Sequence, residues 1–168
     1  MTSSIVARAL DQLGGLLRSV TPEDADRTTP CSEWTVSELS DHIVTSTAGM
    51  ATMARGGEPD FGDTTHYDDP AAALKEKADE LVGALDAEDS QFPVGMAAGE
   101  LSIHAYDLAT ALGRDTAGLD QELAETGYEF MSQQLTEDKR GDAFKPEQPA
   151  PDGADAYQRL AAFAGRSV

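Results

Sequence analysis

The chain has 168 residues, 40% of them hydrophobic and 26% charged, enough to bury a core without disulfides or a structural metal. Its 12 Lys and Arg against 31 Asp and Glu leave a net charge of −19 with no basic cluster, which argues against nucleic acid and anionic membranes as partners. No apolar run approaches the roughly 20 residues that span a bilayer, the start "MTSSIVARALDQLGGLL" lacks a signal-peptide pattern, and Cys31 has no partner cysteine, so the expected setting is cytoplasmic.

Residues 3 to 19 carry Ile5, Leu10, Leu13, Leu17 and Val20 at helical spacing, which predicts a first helix stopped by Thr21-Pro22. Gly14 and Gly15 each weaken it by about 1 kcal/mol relative to alanine, so it depends on its packing partners. A capping box, Thr35-Val-Ser-Glu38, opens a second helix with Val36, Leu39, Ile43 and Met50 on its buried stripe, ended by Gly56-Gly57. Asp69-Pro70 starts a third, with Leu74, Ala78, Leu81 and Leu85 as a bundle seam. "DAEDSQFPVGMAAG" reads as an extended or turned link, and "GELSIHAYDLATALG" (99 to 113) as a fourth helix closed by Gly113. Asp120 caps a further helix bearing Leu123, Gly127, Phe130 and Met131. Residues 136 to 155, rich in proline and acid, read as a surface strap, and "DAYQRLAAFAG" as a short amphipathic terminal helix anchored by Tyr157, Leu160 and Phe163. No segment alternates with period two, so the expected fold is all-α: a single domain over 1–168, built as a four-helix bundle closed by the strap and the terminal helix.

The fourth helix carries an anomaly. Glu100, His104 and Asp107 lie on one row beside Leu101, Ala105, Leu108 and Leu112, which must be core. A polar row at the core's edge is solvated surface, a hydrogen-bonded network or part of a metal site, because unpaired buried charges are costly. His42 sits beside Ile43 on the second helix and can look inward as well. If the two helices are neighbours, His42, Glu100 and His104 supply two imidazoles and a carboxylate, a common set for a metal with an open fourth position.

The segments "TTPCSEWTVSELSDHIV", "GELSIHAYDLATALGRD" and "DAYQRLAAFAGR", in this order along essentially the whole chain, resemble small metal-binding proteins related to the N-terminal domain of mycothiol-dependent maleylpyruvate isomerase, within the DinB-like superfamily. The resemblance implies a DinB-type four-helix bundle and a divalent metal, zinc first, with nickel or iron as alternatives, held by His42, Glu100 and His104. It implies an open metal position that takes a low-molecular-weight thiol such as mycothiol as its thiolate, and hence a thiol S-transferase acting on a small electrophile. Isomerase activity itself is not expected, because the second domain of the isomerase has no counterpart in this chain. Glutamate stands where many DinB proteins have a third histidine, which makes the site harder and one charge more negative. A non-catalytic metal- or ligand-binding accessory or stress protein is the alternative, and a homodimer is compatible with either.

Asp107 is the candidate catalytic residue, as an outer acceptor orienting a histidine or a handler of a substrate proton, with ligation as a third role. The remaining residues have simpler readings. Asp41 should face solvent, Trp34 should staple the helix start, and Cys31 should be structural although its place before a helix favours the thiolate. His66 should be exposed in the acidic loop with Asp60, Asp63, Asp68 and Asp69, Tyr106 should pack, and Met50, Met53, Met96 and Met131 should fill gaps.

Overall fold

A computed structural model describes residues 3–60, 62, 65–141 and 144–168; Asp63 of the acidic loop lies outside them. Six α-helices carry the described fold: α1 (Ser3–Arg18), α2 (Val36–Ala54), α3 (Pro70–Leu85), α4 (Val94–Ala111), α5 (Gln121–Gln134) and α6 (Ala156–Phe163). The expected all-helical class holds. The start signals also act as read: Thr35 Oγ1 accepts from the Glu38 N–H at 3.3 Å while Glu38 Oε2 accepts from the Thr35 N–H at 2.8 Å, and Asp69 Oδ1 accepts from the Ala72 N–H at 3.0 Å.

Around the bundle α1 packs on α3 and α4, and α2 packs on the same two helices, so α2 and α4 share a seam. α5 lies along α4, and α6 packs on both. The middle of α4 is thereby covered on every side, and Leu101 through Ala109 are all buried. His104 and Asp107 of the polar row therefore lie inside the protein, where α5 and α6 cover a face that the bundle alone would leave open, while Glu100 stays partly exposed at the core's edge.

One boundary and one cap differ from the reading of the sequence. α4 begins at Val94, directly after Pro93, so the link expected before Gly99 is helical in its second half. Its glycines serve packing: a Cβ on Gly127 would lie 2.5 Å from Gly99 Cα, and one on Gly95 would lie 2.6 Å from Phe130 Cβ, so α4 and α5 approach at backbone distance. Asp120 occupies the N-cap of α5 but does not cap with its side chain. Arg8 draws that carboxylate away through Nε at 3.0 Å, and Gln12 Oε1 accepts from the Asp120 N–H at 2.8 Å.

The strap is more than surface. Arg140, buried within it, donates from Nη1 to the carbonyls of Lys145 at 3.0 Å and Phe163 at 2.8 Å, and the Gln148 N–H bonds to the Ala162 carbonyl at 2.8 Å. Gly165, at φ 95°, follows α6 where a Cβ would meet the Lys145 carbonyl oxygen at 2.6 Å. Glycine there lets the chain turn back under the strap and aim Arg166 at α4.

Gly127 and Gly83 provide a matched test of the α4–α5 contact. Gly127→Ala meets backbone and is expected to destabilise by about 1–3 kcal/mol despite its better helix propensity. Gly83→Ala, exposed with nothing within 4 Å of the new methyl, is expected to stabilise by about 0.5–1 kcal/mol. Urea denaturation midpoints of the two variants, read against the parent, check both signs.

Candidate metal centre

The α2–α4 seam brings His42 opposite one turn of α4. His42 Nε2 lies 3.4 Å and His104 Nε2 3.2 Å from the same oxygen, Glu100 Oε1. The donor atoms of His42, Glu100 and His104 all lie within 4.8 Å of one another, a group that could hold a metal ion. Bonds of about 2.0–2.1 Å at tetrahedral angles put donor atoms about 3.3 Å apart. The two Glu100 distances match that spacing, and two neutral imidazoles with one carboxylate suit a borderline divalent cation.

The two imidazoles are held differently. The His42 ring stacks on Trp34 with centroids 4.1 Å apart and 27° between planes, and meets the His104 ring edge-on at 4.8 Å. Trp34 thus packs on the core and also forms a wall of the site, a part the staple reading missed. His104 is pinned from both ends: its Nε2 faces Glu100, and its Nδ1 lies 3.2 Å from Asp107 Oδ2. Burial disfavours protonation of this ring, but the charge of Glu100 and the hydrogen bonds to Asp107 and Glu100 outweigh it and push the pKa up to about 9. Burial likewise opposes ionisation of Glu100, yet His104 and then His42 hold its carboxyl well below the usual range.

Asp107 has no exposed surface, and Arg166 grips it with both arms of the guanidinium: Nη2 to Oδ2 at 2.9 Å and Nε to Oδ1 at 3.1 Å. Burial raises the Asp107 pKa, and the bonds from His104 and Arg166 more than reverse that, so it is ionised. The geometry suits a carboxylate fixing a candidate ligand histidine: Nδ1–H donates to Asp107 and Nε2 is left facing the other donors. Arg166 escaped the sequence reading because it lies 59 residues downstream of Asp107, in a tail with no periodicity. The one signal was an acid on a buried row with no Lys or Arg within one helical turn.

The centre opens into a cavity of about 530 Å³. Cys31, Trp34, Lys145 and Arg166 line it on the side of the loop that precedes α2, and Met50, Met53, Met96 and Met131 line it elsewhere. Met50 and Met131 are therefore cavity walls as well as buried fillers, whereas Met96 is exposed and does not fill a gap in the core. Burial pushes the Cys31 thiol up, against the thiolate that its place before α2 suggested. Asp41 does not face solvent: its Oδ1 accepts from the Tyr67 N–H at 3.0 Å and its Oδ2 lies 2.9 Å from His66 Nδ1, which ties the acidic loop to α2. His66 is exposed as expected, and Tyr106 is packed into the core.

A helical bundle with a two-histidine, one-glutamate group at the floor of a cavity defines a class of small helical proteins with a candidate metal centre. This chain belongs to the family described as the mycothiol maleylpyruvate isomerase N-terminal domain, whose match spans residues 6–109 and so includes His42, Glu100, His104 and Asp107 but not Arg166. It is also 31% identical to two uncharacterised proteins of Mycobacterium tuberculosis, from strains CDC 1551 / Oshkosh and ATCC 25618 / H37Rv, over 96% of this chain and 95% of each relative. No solved structure matches it significantly. No helix among the described residues is long and apolar enough to cross a membrane.

Two outcomes follow from these charges. In the metal-free chain, the folded pKa of His104 near 9 lies above its unfolded value of about 6.5, so its stabilising contribution is complete below pH 6.5 and is lost as pH rises through 9. Metal binding runs oppositely, since the ion displaces that proton and its affinity rises up to about pH 9. Melting temperatures with EDTA and with zinc, from pH 6 to 9.5, should diverge as pH rises; parallel curves would contradict the assignment. Arg166→Met strands the Asp107 charge and should cost about 3 kcal/mol in urea denaturation, with part of the loss recovered in Asp107→Asn/Arg166→Met.

Proposed function

We propose that the protein is a metal-dependent thiol S-transferase: His42, Glu100 and His104 hold a divalent ion, zinc first, and a small thiol of the mycothiol type occupies the open position and adds to a small electrophile. The observation that carries this reading is the placement of the three donor atoms, within 4.8 Å of one another, at a cavity of about 530 Å³ in a chain of the mycothiol-related family. Such an ion lowers the pKa of a ligated thiol and presents it as a thiolate. Two neutral imidazoles and one carboxylate leave a divalent centre with a net charge of about +1, which favours an anionic sulfur.

The residues of the chain divide the remaining work. Glu100 supplies the hard donor and the negative charge, and His42 and His104 supply nitrogen. Asp107 is a positioning residue: it keeps the His104 proton on Nδ1, and Arg166 keeps Asp107 ionised. Trp34 fixes the His42 ring and excludes water from one side of the centre. Lys145 makes no ion pair among the described residues and donates from Nζ only to Ser32 Oγ at 2.8 Å, so the Cys31 side of the cavity offers a cation to a polar thiol.

The test is spectroscopic and kinetic. Protein stripped of metal and reloaded with cobalt should take one ion per chain, and added mycothiol should produce a sulfur-to-cobalt charge-transfer band. His104→Ala should abolish both while keeping the helical circular dichroism. Saturable consumption of thiol with an electrophile should fall at least about 100-fold in the same variant. Failure of the parent chain to retain stoichiometric metal would overturn the reading.

A further inference from the structure

The two candidate ligand histidines are not supported alike. His104 donates from Nδ1 to Asp107, the usual way in which the ring of a ligand histidine is oriented. His42 has no such acceptor: among the described residues its Nδ1 makes no hydrogen bond. Its Nε2 is still aimed at Glu100 Oε1, 3.4 Å away. What holds the ring in that direction is the Trp34 indole, stacked on it with centroids 4.1 Å apart. The orientation of His42 is therefore only as fixed as Trp34, which is half-buried and stands in the loop before α2.

One buried side chain ties that loop down. Residues Cys31 to Trp34 form a tight turn, closed by the Trp34 N–H on the Cys31 carbonyl at 3.0 Å. Thr29, buried just before the turn, places its hydroxyl 2.8 Å from the Cys31 carbonyl oxygen and 2.9 Å from that of Trp34. Its single proton is thus shared between the two ends of the turn. The other side-chain bond to the turn, from Lys145 Nζ to Ser32 Oγ, is exposed and competes with water. Outside the turn, an isolated bridge between Thr28 and Thr35 and the Val36 N–H on the Arg27 carbonyl at 2.9 Å hold the ends of the loop together. They fix where the loop meets α2, not how its tip is folded.

We propose that Thr29 is a positioning residue for the metal centre: its hydroxyl sets the Cys31–Trp34 turn, the turn sets the indole, and the indole aims His42 Nε2 at the ion. Thr29 does not line the cavity and bonds to none of the three candidate ligands, so its action is indirect. The inference rests on the metal-binding part of the function proposed above and not on thiol transfer. It gives the centre two outer supports of different kind. Asp107 holds His104 by charge, whereas Thr29 holds His42 through packing, so loss of the Thr29 hydroxyl leaves the charges of the centre in place.

The experiment is titration of the metal-stripped full chain with cobalt. Trp34 is the only tryptophan of the chain, so the red edge of the near-ultraviolet circular dichroism, where tyrosine does not absorb, reads its packing. Thr29→Val keeps the shape and removes the hydroxyl; it should diminish the Trp34 signal and weaken cobalt binding about 3- to 10-fold, the effect of one net hydrogen bond. Thr29→Ser keeps the hydroxyl and should restore both. Trp34→Leu should weaken cobalt binding at least about 10-fold, and Thr29→Val added to it should cost nothing more, because its action passes through the indole. The inference is overturned if Thr29→Val leaves the Trp34 signal and the cobalt affinity unmoved while lowering the melting temperature, the result of a merely structural role. It is also overturned if Thr29→Ser is as weak as Thr29→Val, or if the losses from Thr29→Val and Trp34→Leu add. The Thr29 pair decides the matter even where Trp34→Leu does not fold. A parent chain that takes up no cobalt overturns the metal reading and this inference together, whereas a parent that binds cobalt no better than Thr29→Val removes the inference alone.

Discussion

A carboxylate with no exposed surface must find its counter-charges inside the fold, and Asp107 finds them in Arg166 and His104. Much of the structure follows from that need. The Arg166 guanidinium reaches α4 only because α6 docks against α4 and α5 and the chain then turns at Gly165 beneath the strap. The tail is therefore bound by a bidentate ion pair at the center of the molecule, not by surface contacts alone. On its other side the same carboxylate fixes one histidine ring, so a single buried charge couples the end of the chain to the orientation of a candidate metal ligand. Without Arg166 the Asp107 charge would be balanced by His104 alone, in a site where burial disfavours it.

The second constraint is the close approach of α4 and α5. Gly95, Gly99 and Gly127 remove the side chains that would separate the two helices, and Phe130 and Met131 pack into the space released. That contact buries the second face of α4 and also forms part of the cavity wall. The glycine-rich start of α4, which weakens the helix locally, thus shapes the chamber beside the centre. Local propensity and tertiary packing disagree in this segment, and packing prevails because backbone contact buries more than the alanine methyls would contribute.

Legibility in the sequence varied with the range of the interaction. Thr35–Glu38, Asp69-Pro70 and Gly113 are start and stop signals that act within a few residues, and they mark the ends of α2, α3 and α4 as expected. His42, Glu100 and His104 were legible as candidates because two of them share a helical row and the third neighbours a buried stripe. What could not be read was anything made by distant segments: Asp41 holding the His66 loop, Arg8 diverting the Asp120 side chain from its cap, and Arg166 on Asp107. Each of these is a side chain choosing between a local partner and a remote one, and only the remote geometry shows which is closer.

By itself the sequence determined the helical class, the principal helices and the row of ionisable groups on α4, because 3.6-residue periodicity and capping are local properties of the chain. The tertiary structure decided that His104 and Asp107 of this row are interior, that His42 meets it within donor-to-donor distance, and that a cavity opens from it. Those facts depend on which helices are neighbours and how closely they approach. Neighbourhood is set by the burial of all the stripes at once, and no single stretch of residues contains it.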